Sequence, residues 1–163
     1  MKHLLFGEVT KDMAEKVFRL VDKKPKSLQF VVNSGGGDVE AGLAIYDALK
    51  TVPKVTILAT GECSSSALLF FQAATVRLAR PSTFFICHKV RFVYHEEKLP
   101  APDSAEKAEH DKQMDFLNEM LPRIYIARTG AEGFRQAMGH NIFGVKQAIE
   151  WGFLDGVDER KVE

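Results

Sequence analysis

Short apolar runs alternate with amphipathic stretches along the first half of the chain. Residues 28–32 and 55–59 are mainly apolar and rich in β-branched or aromatic side chains, which predicts buried strands. Shorter strands are predicted over residues 4–6, 76–78 and 84–87. Three helices are predicted in the gaps between these strands. The first covers residues 10–22, the second begins after the cap Asp38 and ends before Pro53, and the third covers about 64–73.

The second half is predicted to be mainly helical. Residues 91–102 are polar and contain two prolines, which predicts a loop. Asp103 and Glu106 have capping-box spacing ahead of a long helix over about 104–128, which Gly130 ends. Short helices are predicted over about 131–138 and 145–151, the latter ended by Gly152, and residues 153–155 form a terminal strand or turn.

This order of elements predicts the fold class. Strands that alternate with helices favour repeated βαβ units with right-handed crossovers and a largely parallel sheet, which is an α/β fold. A domain averages about 100–200 residues, so residues 1–163 are expected to form one domain. The long helix over about 104–128 is expected to protrude from it.

Composition narrows the class of protein. Hydrophobic residues make up 45% of the chain and charged residues 27%, which excludes disordered and collagen-like chains. The net charge is zero, which gives no electrostatic footprint for nucleic acid or an anionic membrane and no long-range repulsion against self-association. No apolar run approaches the roughly 20 residues of a membrane helix, and no signal-peptide pattern is present. We therefore expect a cytoplasmic protein whose two cysteines, Cys63 and Cys87, are buried thiols.

The first segment with possible chemistry is a run of three glycines, residues 35–37, between a strand and a helix. Glycine leaves the backbone N–H groups unshielded, so this loop is suited to an oxyanion hole or a phosphate cradle. The run is not GxGxxG and lacks the Lys of a P-loop, so a nucleotide site is disfavoured. A plain glycine-rich turn is the alternative.

Three serines, residues 64–66, follow the next strand, and His88 ends a later one. A serine at a helix start is usually a cap, but three in a row can supply a cap and still leave a nucleophile. Parallel neighbouring strands would bring the serines and the glycine loop to the same carboxyl edge of the sheet. A glycine loop, a serine and a histidine together are the parts of a Ser-His hydrolase site, although His88 alone is more often structural.

At these residues the chain resembles the proteolytic subunit family of the Clp protease (ClpP). Residues 33–47, which read N-S-G-G-G-D-V-E-A-G-L-A-I-Y-D, are similar to the family's N-S-P-G-G-x-V-x-A-G-L-A-I-Y-D and depart within its fixed positions only at Gly35. Residues 61–67 resemble its G-x-A-A-S-M-G/A run and residues 84–88 its histidine strand. Residues 128–130 and 148–155 match H-T-G and A-V-E-Y-G-L-I-D, so the resemblance covers about 4–157.

The resemblance implies a ClpP/crotonase-like fold and a serine-type endopeptidase. It places Ser65 at the position of the family's nucleophile and His88 at the position of its general base. The N–H groups of Gly37 and Ser66 would form the oxyanion hole. The implied chemistry needs no metal and no cofactor, and the implied substrate is a peptide or unfolded protein.

Three departures from the family pattern matter. The family's third catalytic residue is an aspartate, and the aligned position here is His140, followed by Asn141, neither of which carries a negative charge. Another carboxylate could serve instead, with Glu96, Asp111 and Asp115 as candidates. The family's methionine after the nucleophile is Ser66 here. The chain also begins about where the family's first core strand begins, which makes partnership with a Clp ATPase doubtful.

Two other functions stay open at this stage. A crotonase-type acyl-CoA enzyme would use a glycine oxyanion hole on a related fold, and a catalytically weak ring subunit would explain the missing aspartate. The family forms rings, and its long helix forms the contact between rings, so we expect a homo-oligomer here. The apolar stripe of that helix could equally pack on its own sheet; it comprises Met114, Leu117, Leu121 and Ile124.

Overall fold

The computed structural model describes residues 1–90 and 104–159, so the predicted loop 91–102 and Asp103 lie outside the described residues. The strands are β1 His3–Phe6, β2 Ser27–Ser34, β3 Lys54–Ser64, β4 Val76–Ala79, β5 Phe84–Ile86, β6 Ile142–Gly144 and β7 Gly156–Val157. The helices are α1 Lys11–Val21, α2 Val39–Lys50, α3 Ser66–Phe71, α4 Ala105–His140 and α5 Val145–Glu150. The alternation of strands and helices confirms the predicted α/β class.

The sheet is parallel along the order β1-β2-β3-β4-β7 and divides at β3. The first part of β3 pairs with β4, from Thr56 opposite Val76 to Ala59 opposite Ala79. Its last three residues pair with β5 instead, where Ser64 lies opposite Ile86. This second pairing brings the ends of β3 and β5, with Ser65 and His88 just beyond them, to one edge of the sheet.

Local sequence signals account for the helix ends. The Thr10 side chain accepts a hydrogen bond from the Met13 N–H and caps α1, and Asp38 caps α2 through the Ala41 N–H, as predicted. The Ser104 side chain caps α4 by accepting from the Lys107 N–H, so the cap lies one residue after the predicted Asp103. Gly130 has φ 70° and ψ 165°, which interrupts α4 at the predicted point and separates a second helical segment from the first.

The core lies between the sheet and the helices, and α4 contributes to it. Leu117, Leu121 and Tyr125 of α4 are buried, and Met114 and Ile124 pack partly buried against the same core. The predicted apolar stripe of this helix therefore packs on its own chain. Cys63 and Cys87 are both buried and free, as the composition indicated.

Two short strands near the C-terminus differ from the prediction. Residues 153–155 were expected to form the last strand or turn, but the last strand is Gly156–Val157. Phe153 and Leu154, which precede it, are buried in the core. The antiparallel strand β6 is not signalled in the sequence, because three residues are too few to show a period. It forms because Phe143 packs against the ring of Phe85, with the ring centroids 5.6 Å apart. Among the described residues, no helix is both long and apolar enough to cross a membrane.

Candidate active site

Ser65 occupies a strained turn between β3 and α3. Its backbone has φ 53° and ψ −126°, a region that L residues rarely adopt. The Ser65 N–H donates to the Ile86 carbonyl at 2.9 Å, which ties the turn to β5. The Ser65 side chain makes no capping hydrogen bond, so this serine does not cap α3 through its hydroxyl. A serine displayed on a strained strand-to-helix turn is the geometry of a nucleophile elbow.

The serines on either side of Ser65 are in different environments. Ser64 and Ser66 are 1% and 3% exposed, and the structure gives their hydroxyl groups no hydrogen-bond partner among the described residues. Ser65 is half-buried and lines a pocket. Ser66 lines the same pocket, whereas Ser64 does not.

The glycine loop passes directly against Ser65. A Cβ added at Gly36 would lie 2.6 Å from the Ser65 Cβ and 3.1 Å from its Oγ, so a side chain at position 36 would displace the serine. The Gly36 carbonyl accepts from the Val9 N–H, and the Asp38 N–H donates to the Val9 carbonyl, both at 2.9 Å. Neither bond uses the Gly37 N–H, the group predicted as an oxyanion donor.

His88 follows β5 and lines the same pocket as Ser65. Its Nδ1 lies 2.6 Å from the carbonyl oxygen of Lys89. Because a carbonyl oxygen only accepts hydrogen bonds, this contact selects the ring form with its hydrogen on Nδ1. In the neutral ring, that form leaves Nε2 with a free lone pair, which a general base requires.

The pocket has a volume of about 130 Å³ and lies between Ser65, His88 and α4. Most of its remaining wall is apolar and comes from Val39, Leu69, Leu121, Pro122, Phe134 and Met138. Among the described residues that line it, none is an aspartate or a glutamate. The structure therefore brings a serine, a histidine and an apolar recess together, and no acid lines this pocket within residues 1–90 and 104–159.

The side chains of the two positions considered for the third catalytic residue make no hydrogen bond to His88 in the described structure. The His140 Nδ1 lies 3.0 Å from the Gln136 carbonyl oxygen, and the His140 ring packs on Trp151 with the centroids 4.9 Å apart. Asn141 is exposed, and its carbonyl accepts from the Cys87 N–H at 2.9 Å. Asn141 therefore approaches the histidine strand through its backbone rather than its side chain.

The other carboxylates considered do not supply the missing acid within the described structure. Asp111 is paired with Lys107 on the exposed side of α4, with 2.5 Å between the charged atoms. Asp115 is exposed on the same helix and does not line the pocket. Glu96 lies outside the described residues.

Buried thiols do not compete with Ser65 as nucleophiles. Burial raises the pKa of Cys87 to about 12, and burial, with a smaller contribution from Glu62, raises the pKa of Cys63 further. A thiol must ionise to act as a nucleophile, so both cysteines are inert near neutral pH. Burial also raises the pKa of Tyr125, whose hydroxyl lies 3.5 Å from the Ser65 carbonyl oxygen.

Sequence reasoning missed Asn118, a residue of α4 that contacts the segment after His88. The Asn118 Oδ1 accepts from the Val90 N–H at 2.8 Å, and its Nδ2 donates to the Val90 carbonyl at 3.2 Å. The two residues are 28 positions apart, and an asparagine on a helix is normally a solvated residue. No pattern in the sequence could have identified this contact.

Comparisons with known proteins agree on one family. The family model described as Clp protease matches residues 3–161. The ATP-dependent Clp protease proteolytic subunit of Bdellovibrio bacteriovorus is 32% identical over 159 residues, which cover 91% of this chain and 72% of that protein. The ATP-dependent Clp protease proteolytic subunit 3 of Rhizobium meliloti is 32% identical over 134 residues, which cover 77% of this chain and 65% of that protein.

Solved structures show the same fold. A point variant of ClpP1 from Listeria monocytogenes aligns with a TM-score of 0.79 at 23% identity, over 98% of this chain and 92% of that one. ClpP1 from Listeria monocytogenes itself aligns with a TM-score of 0.78 at 23% identity, over the same 98% and 92%. At this identity the likeness concerns the fold, which matches the parallel sheet and the long helix α4.

Proposed function

This chain belongs to the Clp protease family, and from that premise we propose that it is a serine-type endopeptidase with Ser65 as nucleophile and His88 as general base. One observation carries the assignment. Ser65 sits on a strained turn with an uncapped side chain, in the same pocket as a histidine whose Nδ1 is hydrogen-bonded. Acyl transfer to a serine requires a nucleophile and a base at one site, and this pocket is lined by both.

The reaction follows from these groups. The Ser65 Oγ attacks the carbonyl carbon of a peptide bond while His88 Nε2 takes the hydroxyl proton. The N–H groups of Gly37 and Ser66 donate to the oxyanion that forms, a contribution of about 2.7–4 kcal/mol per donor in such sites. His88 then returns the proton to the leaving amine, and a water molecule repeats the sequence on the acyl-enzyme. The chemistry uses only side chains and backbone of this chain.

The apolar recess next to Ser65 indicates the substrate. Its wall consists mainly of aliphatic, aromatic and thioether side chains, and Lys89 is the one lysine, arginine, aspartate or glutamate among the described residues that line it. Burial of an apolar side chain there is favourable at about 25 cal/mol per Å². We therefore propose that the enzyme cleaves peptides or unfolded segments after an apolar residue.

We also propose that the enzyme works as a cytoplasmic homo-oligomer, in the ring arrangement that its family suggests. On α4, Phe116 is 63% exposed and Ile126 is 38% exposed, although the same helix buries its other apolar face. Contact with a second copy would remove these two apolar side chains from water, which is favourable at about 25 cal/mol per Å². We do not extend the proposal to a Clp ATPase partner.

A serine-directed fluorophosphonate and a short fluorogenic peptide ending in an apolar residue test the assignment. We expect the reagent to label Ser65 and the protein to cleave the peptide, and we expect Ser65→Ala to lose both. Ser64→Ala is the matched control, because Ser64 is the adjacent serine but does not line the pocket, and it should keep most of the activity.

Comparable losses in both variants would show that the nucleophile is misassigned. An assembled protein that neither labels nor cleaves would instead be a structural ring subunit. Saturable binding of an acyl-CoA without peptide cleavage would indicate a crotonase-type enzyme.

A further inference from the structure

The segment 88–90 connects the catalytic histidine to α4 through one peptide group. The peptide bond between Lys89 and Val90 carries the Lys89 carbonyl and the Val90 N–H in a single plane. Its carbonyl oxygen lies 2.6 Å from His88 Nδ1, and its N–H donates to Asn118 Oδ1 at 2.8 Å. Both polar groups of this peptide are therefore engaged, one by the histidine and the other by α4.

The geometry of a trans peptide makes these two contacts interdependent. Its N–H and C=O point in opposite directions from the same rigid plane, so fixing one group fixes the direction of the other. Asn118 holds the next carbonyl as well, since its Nδ2 donates to the Val90 oxygen at 3.2 Å. With two bonds to one residue, the Asn118 side chain imitates a neighbouring strand and prevents rotation of the segment.

We propose that Asn118 is a positioning residue, which holds the Lys89 carbonyl against His88 Nδ1 in the place where a carboxylate would normally orient the histidine. The inference rests on the proposed role of His88 as the general base. It explains how the site keeps the productive histidine tautomer although no acid among the described residues lines the pocket. A carbonyl orients the ring and accepts its hydrogen, but it adds no negative charge.

A chemical property of His88 tests the inference without turnover. Magic-angle-spinning ¹⁵N NMR of the assembled, histidine-labelled protein distinguishes Nδ1–H from Nε2–H rings at a pH where the ring is neutral, and His88→Gln identifies the signal. We expect wild type to hold the Nδ1–H form. We expect Asn118→Ala to acquire a substantial population of the Nε2–H form, because the Lys89 carbonyl is no longer fixed.

The kinetic expectation is a split between kcat and KM. An ill-oriented base slows proton transfer but leaves ground-state binding intact, so Asn118→Ala should lower kcat about tenfold with little change in KM. Asn118→Gln keeps the amide group but shifts it by one methylene, so we expect the same loss of kcat in this variant. Gln113→Ala is the matched control, since Gln113 makes its polar contact from α4 to Glu40, away from His88.

The results separate this inference from the proposed function. A tautomer change in Asn118→Ala supports the positioning role even if the wild type cleaves no peptide, in which case only the proposed activity fails. An unchanged tautomer in folded Asn118→Ala and Asn118→Gln overturns the inference, whether or not kcat falls. An equal loss of kcat in Gln113→Ala would also overturn it, because the effect would then come from α4 in general.

Discussion

At the scale of the residue, three consecutive serines have three different surroundings. Ser64 is buried at the end of β3, Ser66 is buried at the start of α3 where it lines the pocket, and Ser65 lies between them on a backbone with positive φ. The close approach of Gly36 to the Ser65 Cβ leaves no room for a side chain at position 36. The strained serine and the glycine beside it therefore form one structural unit, and we expect the proposed chemistry at Ser65 to depend on both.

Position 140 carries a prediction at this scale. The antiparallel register pairs Ile86 with Ile142, and the Cys87 N–H donates to the Asn141 carbonyl, so His140, the last residue of α4, lies directly before the segment that pairs with the histidine strand. The native His140 side chain packs on Trp151. An aspartate there could turn to His88 and add the charge that the Lys89 carbonyl lacks.

We therefore expect His140→Asp to raise kcat on a fluorogenic peptide by tenfold or more, which corresponds to about 1.4 kcal/mol of transition-state stabilisation. His140→Asn is the neutral control and should give a much smaller effect. If His140→Asp folds and assembles normally but cleaves no faster, the position does not correspond to the third catalytic residue of the family.

At the scale of the element, a buried arginine joins β4 to the segment that precedes β7. The Arg77 guanidinium donates to Asp155, with 2.5 Å from Nη2 to Oδ1, and also to Gln72 Oε1 and the Gly152 carbonyl at 2.8 Å each. Arg77 is 5% exposed, so its charge depends on these partners. This contact fixes the end of α5 and the β7 strand against the sheet.

The same contact predicts a dependence of stability on acid. Burial alone would raise the pKa of Asp155, but hydrogen bonds from Arg77 and the nearby charge of Arg128 outweigh it and hold that pKa below its ordinary value. A carboxyl with a lowered folded-state pKa stabilises the protein above its unfolded pKa of about 3.9. That stabilisation is lost as the pH falls from about 4 through the lower folded-state value.

Asp155→Asn should therefore lower the free energy of unfolding by about 1–2 kcal/mol at pH 7, a value reduced for the partial exposure of the aspartate. The difference from wild type should shrink as the pH falls below about 4, because the wild-type aspartate is then neutral as well. Urea unfolding at one fixed protein concentration measures both values. A difference that stays constant down to pH 2 would contradict the linkage to Asp155.

At the scale of the whole molecule, net charge and exposed apolar side chains bear on the proposed association of copies. The net charge is zero, so long-range repulsion does not oppose contact between chains. The apolar stripe of α4 that was considered as an interface packs within the chain. The exposed apolar residues of α4 are different ones, chiefly Phe116 and Ile126. We expect a second copy to cover these two residues in the proposed oligomer.

Light scattering after size-exclusion chromatography tests this interface. We expect wild type to have a mass several times the 18.2 kDa of one chain, and Phe116→Lys to shift the mass towards 18.2 kDa, because a buried unpaired charge opposes association. Phe116→Met keeps the apolar surface and should retain the wild-type mass. A wild type of 18.2 kDa at micromolar concentration would contradict the oligomer.

The sequence by itself determined the parts that depend on neighbouring residues. The caps Thr10 and Asp38, the break at Gly130 and most strands and helices follow from local propensity, spacing and glycine conformation. The family motifs then gave the fold and the order of the glycine loop, the serines and His88 along one edge of the sheet. The caps, the helix break and each individual motif were predictable because each is encoded within about fifteen consecutive positions.

Only the tertiary structure decided how those parts face one another. Three features result from strand register and side-chain packing. The Ser65 side chain leaves α3 uncapped, the His140 ring packs on Trp151, and Asn118 holds the peptide group beside His88. The short strand β6 exists because β5 and Phe85 are available to it. Such contacts join residues separated by tens of positions, and their free energy depends on the complete packed fold, so no pattern along the chain contains them.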